Sequence, residues 1–282
     1  MVRVSGFPRL AQMNVDSASP DAAETTVHPS AVVLPGATLG RGVEIGPGAY
    51  LESGVEVGDG CRIGPHVQLL GRTLLGPGCV VRGGSVLGGD PQDDAYKGER
   101  TVVRVGAGCQ IHEHVTIHRA SGEGNETVVG DGVRLMASSH VGHNARVGDH
   151  VVMVNGAVVG GHATIGERAI LSAYSGMHQF GRVGRLTMLT SSSGMSRDAP
   201  PFSIVSGSHP TRWRGPNTVG LRRAGFEAEE RNAVRRALHE AFTSDLGLRA
   251  VAERLAGSDY PAVQELAEFL LTSKRGLCAG PR

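Results

Sequence analysis

Aromatic side chains are scarce: phenylalanine, tyrosine and tryptophan together make up 4% of the 282 residues, with a single tryptophan. A conventional core of large packed rings is therefore excluded. There is no charge excess either, the formal balance being +1, which argues against nucleic acid as a partner. The four cysteines, Cys61, Cys79, Cys109 and Cys278, form no CxxC pair and no zinc spacing. No run approaches the roughly 20 apolar residues of a membrane span, and the N-terminus has no basic region followed by an apolar stretch. These absences point to a soluble, cytoplasmic protein with free thiols and no membrane insertion. Residues 1–25 have no pattern and read as an N-terminal extension, in which Met13 is a plausible alternative start.

Glycine is abundant, at 42 residues, about twice its usual share of roughly 7%. The reason is a period. From Val27, steps of six meet Val33, Leu39, Ile45, Leu51, Val57, Ile63, Leu69, Leu75, Val81 and Leu87. The phase returns at Val105, Ile111 and Ile117, then runs unbroken from Val129 to Met195. The residue after the aliphatic one is often glycine, as at Gly40, Gly58, Gly130 and Gly166, and the fourth after it is small, as at Ala49, Cys61, Cys79 and Ala145. A six-residue clock with two buried columns fits neither an α-helix nor an alternating strand. It predicts a solenoid of short strands with tight corners, aliphatics stacked inward, small residues in the turns, and glycine supplying positive φ. Cys61, Cys79 and Cys109 fall in the small column and read as buried hydrophobes.

The clock fails at Asp93 and Glu99, and again at Glu123, in polar glycine-rich stretches. Loops are expected near 89–103 and 119–127, where a rigid scaffold commonly carries function. After residue 200 a connector runs over 201–225. Helical periodicity follows in 226–282, with Ala233, Val234, Ala237 and Leu238 on one face, Leu248, Val251, Ala252 and Leu255 on a second, and Val263, Leu266, Ala267 and Leu270 on a third. Pro261 suits the first turn of the last helix.

Histidines cluster in SSHVGHNARVGDH, residues 138–150. The spacing of His140 and His143 would be a ligand pair on a helix, but this is a strand-and-turn scaffold, and no further cysteine or carboxylate ligands are evident. Three hexads make one coil, so Val141, Val159 and Met177 share a face, bringing His143, His162 and His178 together. If 119–126 is an insertion, Ile117 adds His118 to that face. His140 falls at the adjoining corner and His150 on the next face. One histidine of the stack is the expected base, since an imidazole pKa of about 6.5 leaves it largely neutral at pH 7.

The hexapeptide repeat over residues 26–200 resembles the left-handed parallel β-helix acyltransferases. The runs IHEHVTIHRAS and SSHVGHNARVG, the pair His178-Gln179, the DAPPF turn and NTVGLRRAGF narrow the resemblance to the UDP-N-acetylglucosamine O-acyltransferases that start lipid A synthesis. The fold so implied is mainly β, a left-handed parallel β-helix followed by a small α-helical domain. The implied reaction moves a 3-hydroxyacyl chain from acyl carrier protein to the sugar 3-hydroxyl, in a homotrimer, with no cofactor and no metal. The sister N-acyltransferase of that pathway carries an extra N-terminal uridine-binding domain, which 25 residues cannot supply.

By resemblance His143 is the general base and the Gly161 N–H the oxyanion donor. Asp93 corresponds to a sugar contact, His140, His162, His178 and Gln179 to the sugar and pantetheine groove, Asn217 and Arg223 to nucleotide contacts, and Ser191 to the position that sets acyl length. Seven arginines against the single acid Asp198 in residues 181–223 suit a diphosphate and an acidic carrier protein, because arginine binds phosphate bidentately. Three residues depart from the family. Asn144 stands where the family has an aspartate that orients and charge-stabilises the imidazole, Ala95 replaces a substrate-binding lysine with Lys97 two residues on, and Val219 replaces a glutamate. The departures keep two other readings open: an acyltransferase for a 3-amino UDP-sugar or another nucleotide sugar, and a non-catalytic β-helix that binds such a ligand or the carrier protein.

Overall fold

The structure, a computed structural model, describes residues 24–281. The N-terminal extension and Met13 thus lie outside the described residues, apart from Glu24 and Thr25. From Thr26 the chain winds as a left-handed parallel β-helix of two- to four-residue strands in three sheets. Each short strand turns one residue out and one in: Arg62 is exposed and Ile63 buried, Arg146 exposed and Val147 buried. Stacked coils continue these ladders, as in Ile45 against Ile63 and Ile63 against Val81. The interior is thus filled by the hexad aliphatics together with Ala49, Cys61, Cys79, Cys109, Ala145 and Ala163, all fully buried.

The glycines after the aliphatics serve a different end from the one expected. They do not adopt positive φ; a Cβ at Gly58 would sit 2.7 Å from the backbone nitrogen of Pro77 in the next coil. Close approach of coils selects glycine there. The left-handed residue comes two positions later, and there side chains are tolerated, including His66, Asn144, His162, Tyr174 and Phe180.

Both interruptions are ejected loops, residues 90–101 and 119–125, between strands of the second and third sheets. Uninterrupted coils step by 18 residues, but the step is 30 from Ser85 to Val115 and 24 from Thr116 to His140. The extra lengths are multiples of six, which is why the clock resumed in phase. The two loops leave the same corner one coil apart and tie together through Arg100 N–H to Glu123 and Gly124 N–H to the Arg100 carbonyl.

Beyond the prism, strands Ser203–Ser206 and Arg212–Pro216 pair antiparallel at the end of the first sheet. Four helices follow: α1 (Thr218–Arg223), α2 (Ala228–Thr243), α3 (Leu248–Leu255) and α4 (Pro261–Leu271). α1 falls inside the stretch expected to be a connector. The buried residues of α2, α3 and α4 are the apolar faces expected, and Pro261 occupies the first turn of α4. The terminal segment then returns to the prism, with Leu277 bridging Asp198 and Ala279 bridging Arg212. Asp198, 1% exposed, accepts from Arg182 Nε at 3.1 Å and from Ser273 Oγ at 2.8 Å. None of the helices among the described residues is long and apolar enough to cross a membrane.

Candidate active site

The site grows from one repeating corner. Where the second sheet turns into the third, successive coils present Gly142-His143-Asn144, Gly160-Gly161-His162 and His178-Gln179-Phe180. The third residue of each corner is left-handed, at φ 59°, 59° and 62°, and the His162 N–H donates to the His143 carbonyl at 2.9 Å. The three histidines therefore share the edge but hold different places in it. His143 and His162 meet edge to face at 5.2 Å, whereas it is Phe180, and not His178, whose ring stacks on His162 at 4.5 Å. His178 and Gln179 are exposed, with His178 Nδ1 3.2 Å from the Gln179 carbonyl.

One coil on the other side, Ile117 pairs with Val141, so the loop excision brings in His118 as expected. It meets His140 edge to face at 5.0 Å. His140 is not at a corner: it is the outward residue of the strand His140–Val141, in register with Thr116 and Val158, and its Nδ1 lies 2.7 Å from Thr116 Oγ1. Burial, reinforced by the nearby imidazoles of His118 and His143, pushes the His140 pKa down to about 4. Burial likewise depresses His118 and His162, with the charge of His143 adding to it. These three imidazoles are thus biased to the neutral form. No set of three histidine, cysteine or carboxylate side chains converges as a metal site among the described residues. His150 is exposed at the next corner, where the third sheet turns into the first.

His143 is locked by its neighbour. Asn144 Oδ1 takes the Ser121 N–H at 2.9 Å, and its Nδ2 donates to the Ser121 carbonyl at 3.0 Å. That two-sided pairing sets which way the amide faces, since an N–H must meet an oxygen and a carbonyl an N–H. His143 Nδ1, 2.9 Å from the same Oδ1, must therefore carry a hydrogen, so that in the neutral ring it is Nε2 that holds the lone pair. Nε2 looks onto Gly161, where an added Cβ would lie 2.5 Å from it. On another edge of the prism, where the third sheet turns into the first, the N–H groups at the same hexad position, of Arg41, Ala107 and Asp131, are capped by aspartates of the next coil. Among the described residues the Gly161 N–H has no such acceptor. An oriented imidazole beside an unpaired N–H is the combination that acyl transfer to a hydroxyl requires.

Asp93 reaches this corner from the first loop. Its Oδ1 takes the Ala95 N–H at 3.0 Å, its Oδ2 the Ser121 hydroxyl at 2.6 Å, and these hydrogen bonds, the Ser121 one first, hold its pKa below the ordinary carboxylate value. Lys97 does not replace the missing lysine here; its Nζ donates to the Asp94 carbonyl within the same loop. Of the other expected contacts, Asn217 and Arg223 lie elsewhere on the chain. With Arg168, Met188 and Val219 they line a groove of about 590 Å³ against the first sheet. Asn217 is 8% exposed and caps α1, accepting from Gly220 N–H and donating to the Leu186 carbonyl. Ser191 is exposed in the turn before Gly194. The arginine count overstated the free cations: Arg182 pairs with Asp198, Arg185 forks onto Glu265, and Arg212 bonds the Gly280 carbonyl.

Sequence reasoning missed Ser121, Thr116 and Phe180. Phe180 was within reach of the arithmetic, lying 18 residues after His162 and 36 after Asn144 in the same left-handed position.

A hexad-repeat prism carrying a locked histidine on one edge, closed by a helical tail, defines the hexapeptide acyltransferase class. The family described as bacterial transferase hexapeptide (six repeats) matches residues 54–89 and 126–161. The second domain of UDP N-acetylglucosamine O-acyltransferase matches residues 198–278. An acyl-[acyl-carrier-protein]–UDP-N-acetylglucosamine O-acyltransferase of Xanthomonas axonopodis pv. citri is 40% identical over 256 residues, covering 89% of this chain and 97% of that protein. One from Thermodesulfovibrio yellowstonii is 36% identical, covering 89% and 98%. The crystal structure of a UDP-N-acetylglucosamine acyltransferase from Bacteroides fragilis superimposes with a TM-score of 0.86 at 32% identity, covering 89% of this chain and 99% of that one. The chain belongs to the acyl-[acyl-carrier-protein]–UDP-N-acetylglucosamine O-acyltransferase family.

Proposed function

We propose that this protein moves a 3-hydroxyacyl group from acyl carrier protein to the 3-hydroxyl of UDP-N-acetylglucosamine, the first step of lipid A synthesis, as a cytoplasmic homotrimer with His143 as general base. The observation that carries this reading is the fixed tautomer of His143, whose Nδ1 is held by Asn144 while Nε2 faces Gly161. Nε2 takes the proton as the sugar oxygen attacks the thioester carbonyl. The tetrahedral oxyanion is met by the Gly161 N–H. Its collapse breaks the carbon–sulfur bond, and the departing pantetheine thiolate takes the proton back from His143. His140, His162, His178, Gln179 and Asp93 border the sugar and pantetheine groove, Asn217 and Arg223 receive the nucleotide, and Ser191 limits the acyl chain. The trimer is supported by the separation on one chain: the groove of Asn217 and Arg223 lies on the first sheet, while His143 stands at the corner of the other two.

Incubation with UDP-N-acetylglucosamine and 3-hydroxyacyl carrier proteins of several lengths tests the reading. His143→Ala is expected to lower kcat on the order of 10³-fold; activity within tenfold of wild type would remove His143 from the role. A 3-amino UDP-sugar belongs in the same assay, because Ala95 and Lys97, whose Nζ is tied to the Asp94 carbonyl, leave the acceptor side without the family's lysine. Transfer to the amine alone would change the acceptor but not the base.

A further inference from the structure

Asn144 orients the imidazole of His143 but, as a neutral amide, gives it no charged partner on its own corner. The surroundings of Asn144 supply one from elsewhere. A carboxylate in place of this amide would turn an oxygen toward the Ser121 carbonyl, whereas asparagine pairs with both backbone groups of Ser121. That pairing holds the second loop against the corner. The Ser121 side chain, so placed, donates to Asp93 Oδ2 at 2.6 Å and draws in the first loop. The same Oδ2 then stands 3.9 Å from His143 Nδ1. The other charged or titratable groups facing His143 are imidazoles: His162 on the next corner, and His118 and His140 one coil away. Asp93 is therefore the nearest anion to a ring that becomes cationic when it accepts the sugar proton. An ion pair slightly beyond hydrogen-bond contact still acts, since Coulomb attraction falls only as the inverse of distance.

We propose that Asp93 is a positioning residue for catalysis in this chain, supplying through the Ser121–Asn144 bridge the negative charge that stabilises protonated His143, with orientation and charge divided between two residues. The inference rests on His143 being the base. It differs from a sugar contact by Asp93, which affects binding of the acceptor and not the charge on the ring.

The test is a mutant cycle of Asp93→Asn, Asn144→Asp and the double variant, with kcat and the KM for UDP-N-acetylglucosamine measured from pH 5 to 9. Asp93→Asn is expected to lower kcat about tenfold, with KM within about twofold. The acid limb of kcat/KM should move to lower pH, because loss of an anion disfavours the protonated ring. In the double variant the Asn144→Asp change restores a carboxylate beside Nδ1, and kcat should recover to within about threefold of wild type, with the acid limb returning. A rise in KM alone, an unmoved acid limb, or a double variant as slow as Asp93→Asn overturns the proposal. His143→Ala in the same assay separates the two readings. If it retains activity the base assignment falls, and if it is inactive while the cycle shows no rescue only the role of Asp93 falls.

Discussion

Gly161→Ala probes the site with a single methyl group. Gly161 is buried and its φ lies outside the left-handed region, so alanine has no backbone objection. The objection is steric and points at one residue: the new Cβ would meet His143 Nε2 at 2.5 Å, Cε1 at 2.8 Å and Cδ2 at 3.0 Å. Ordinary carbon contacts begin near 3.5 Å, so the imidazole must retreat by roughly 1 Å. Overpacking of this kind costs about 1–3 kcal/mol of stability, which a prism of stacked ladders tolerates. The catalytic cost is larger, since about 1 Å of misplacement can remove on the order of 10²-fold in rate. Steady-state transfer from acyl carrier protein should show kcat down about 100-fold with the acceptor KM little changed, in a protein whose circular dichroism matches wild type. A folded Gly161→Ala enzyme within threefold of wild-type kcat would refute the reasoning, because it would mean that the space beside Nε2 is not where the reaction occurs.

Acid should destabilise the protein through His140. With the folded pKa near 4 and an unfolded value near 6.5, the native state refuses a proton that the unfolded chain accepts, so stability is complete above about pH 6.5 and falls as pH drops toward 4, by up to about 3 kcal/mol. Urea titrations at pH 7 and 4.5 should show this fall in wild type and a shallower one in His140→Gln; parallel losses would exclude His140 as the source. Asp198→Ala leaves Arg182, whose side chain is 27% exposed, without its carboxylate and should cost about 3 kcal/mol, read as a lower melting temperature together with faster proteolysis of the terminal segment that Ser273 and the Leu277 bridge anchor. Asn217→Ala removes the cap of α1 and the bond to the Leu186 carbonyl. It should cost about 2 kcal/mol besides any loss of nucleotide affinity, and an unchanged melt would show that the cap contributes nothing.

Much of the fold was legible because the repeat states the same requirement many times. Ile63 must face inward in register with Ile45 and Val81, and any slip would expose a whole ladder. The helix faces of α2 and α4 follow for a similar reason, since Val234 and Leu266 recur at helical spacing on apolar stripes. The glycine column was visible but its cause was not: whether Gly58 serves φ or a close approach depends on where the next coil's Pro77 lies. His140 shows the same limit, because its position in the strand, not at the corner, depends on the pairing with Thr116.

The candidate site divides along the same line. The identities of His143, Gly161 and His162 and their spacing of about one coil are properties of the chain, set by a period of six and a three-sided turn. Ser121 and Asp93 follow no period; they sit in the two loops where the clock stops, and nothing in sequence spacing says where an ejected loop lands. The sequence by itself determined the prism, its buried ladders, the helical tail and the edge on which histidines would gather, because repeated local geometry propagates from coil to coil. Only the tertiary structure decided which imidazole nitrogen is free, which carboxylate stands beside it and which arginines are already spent on structure, because those depend on single hydrogen bonds between segments with no periodic relation.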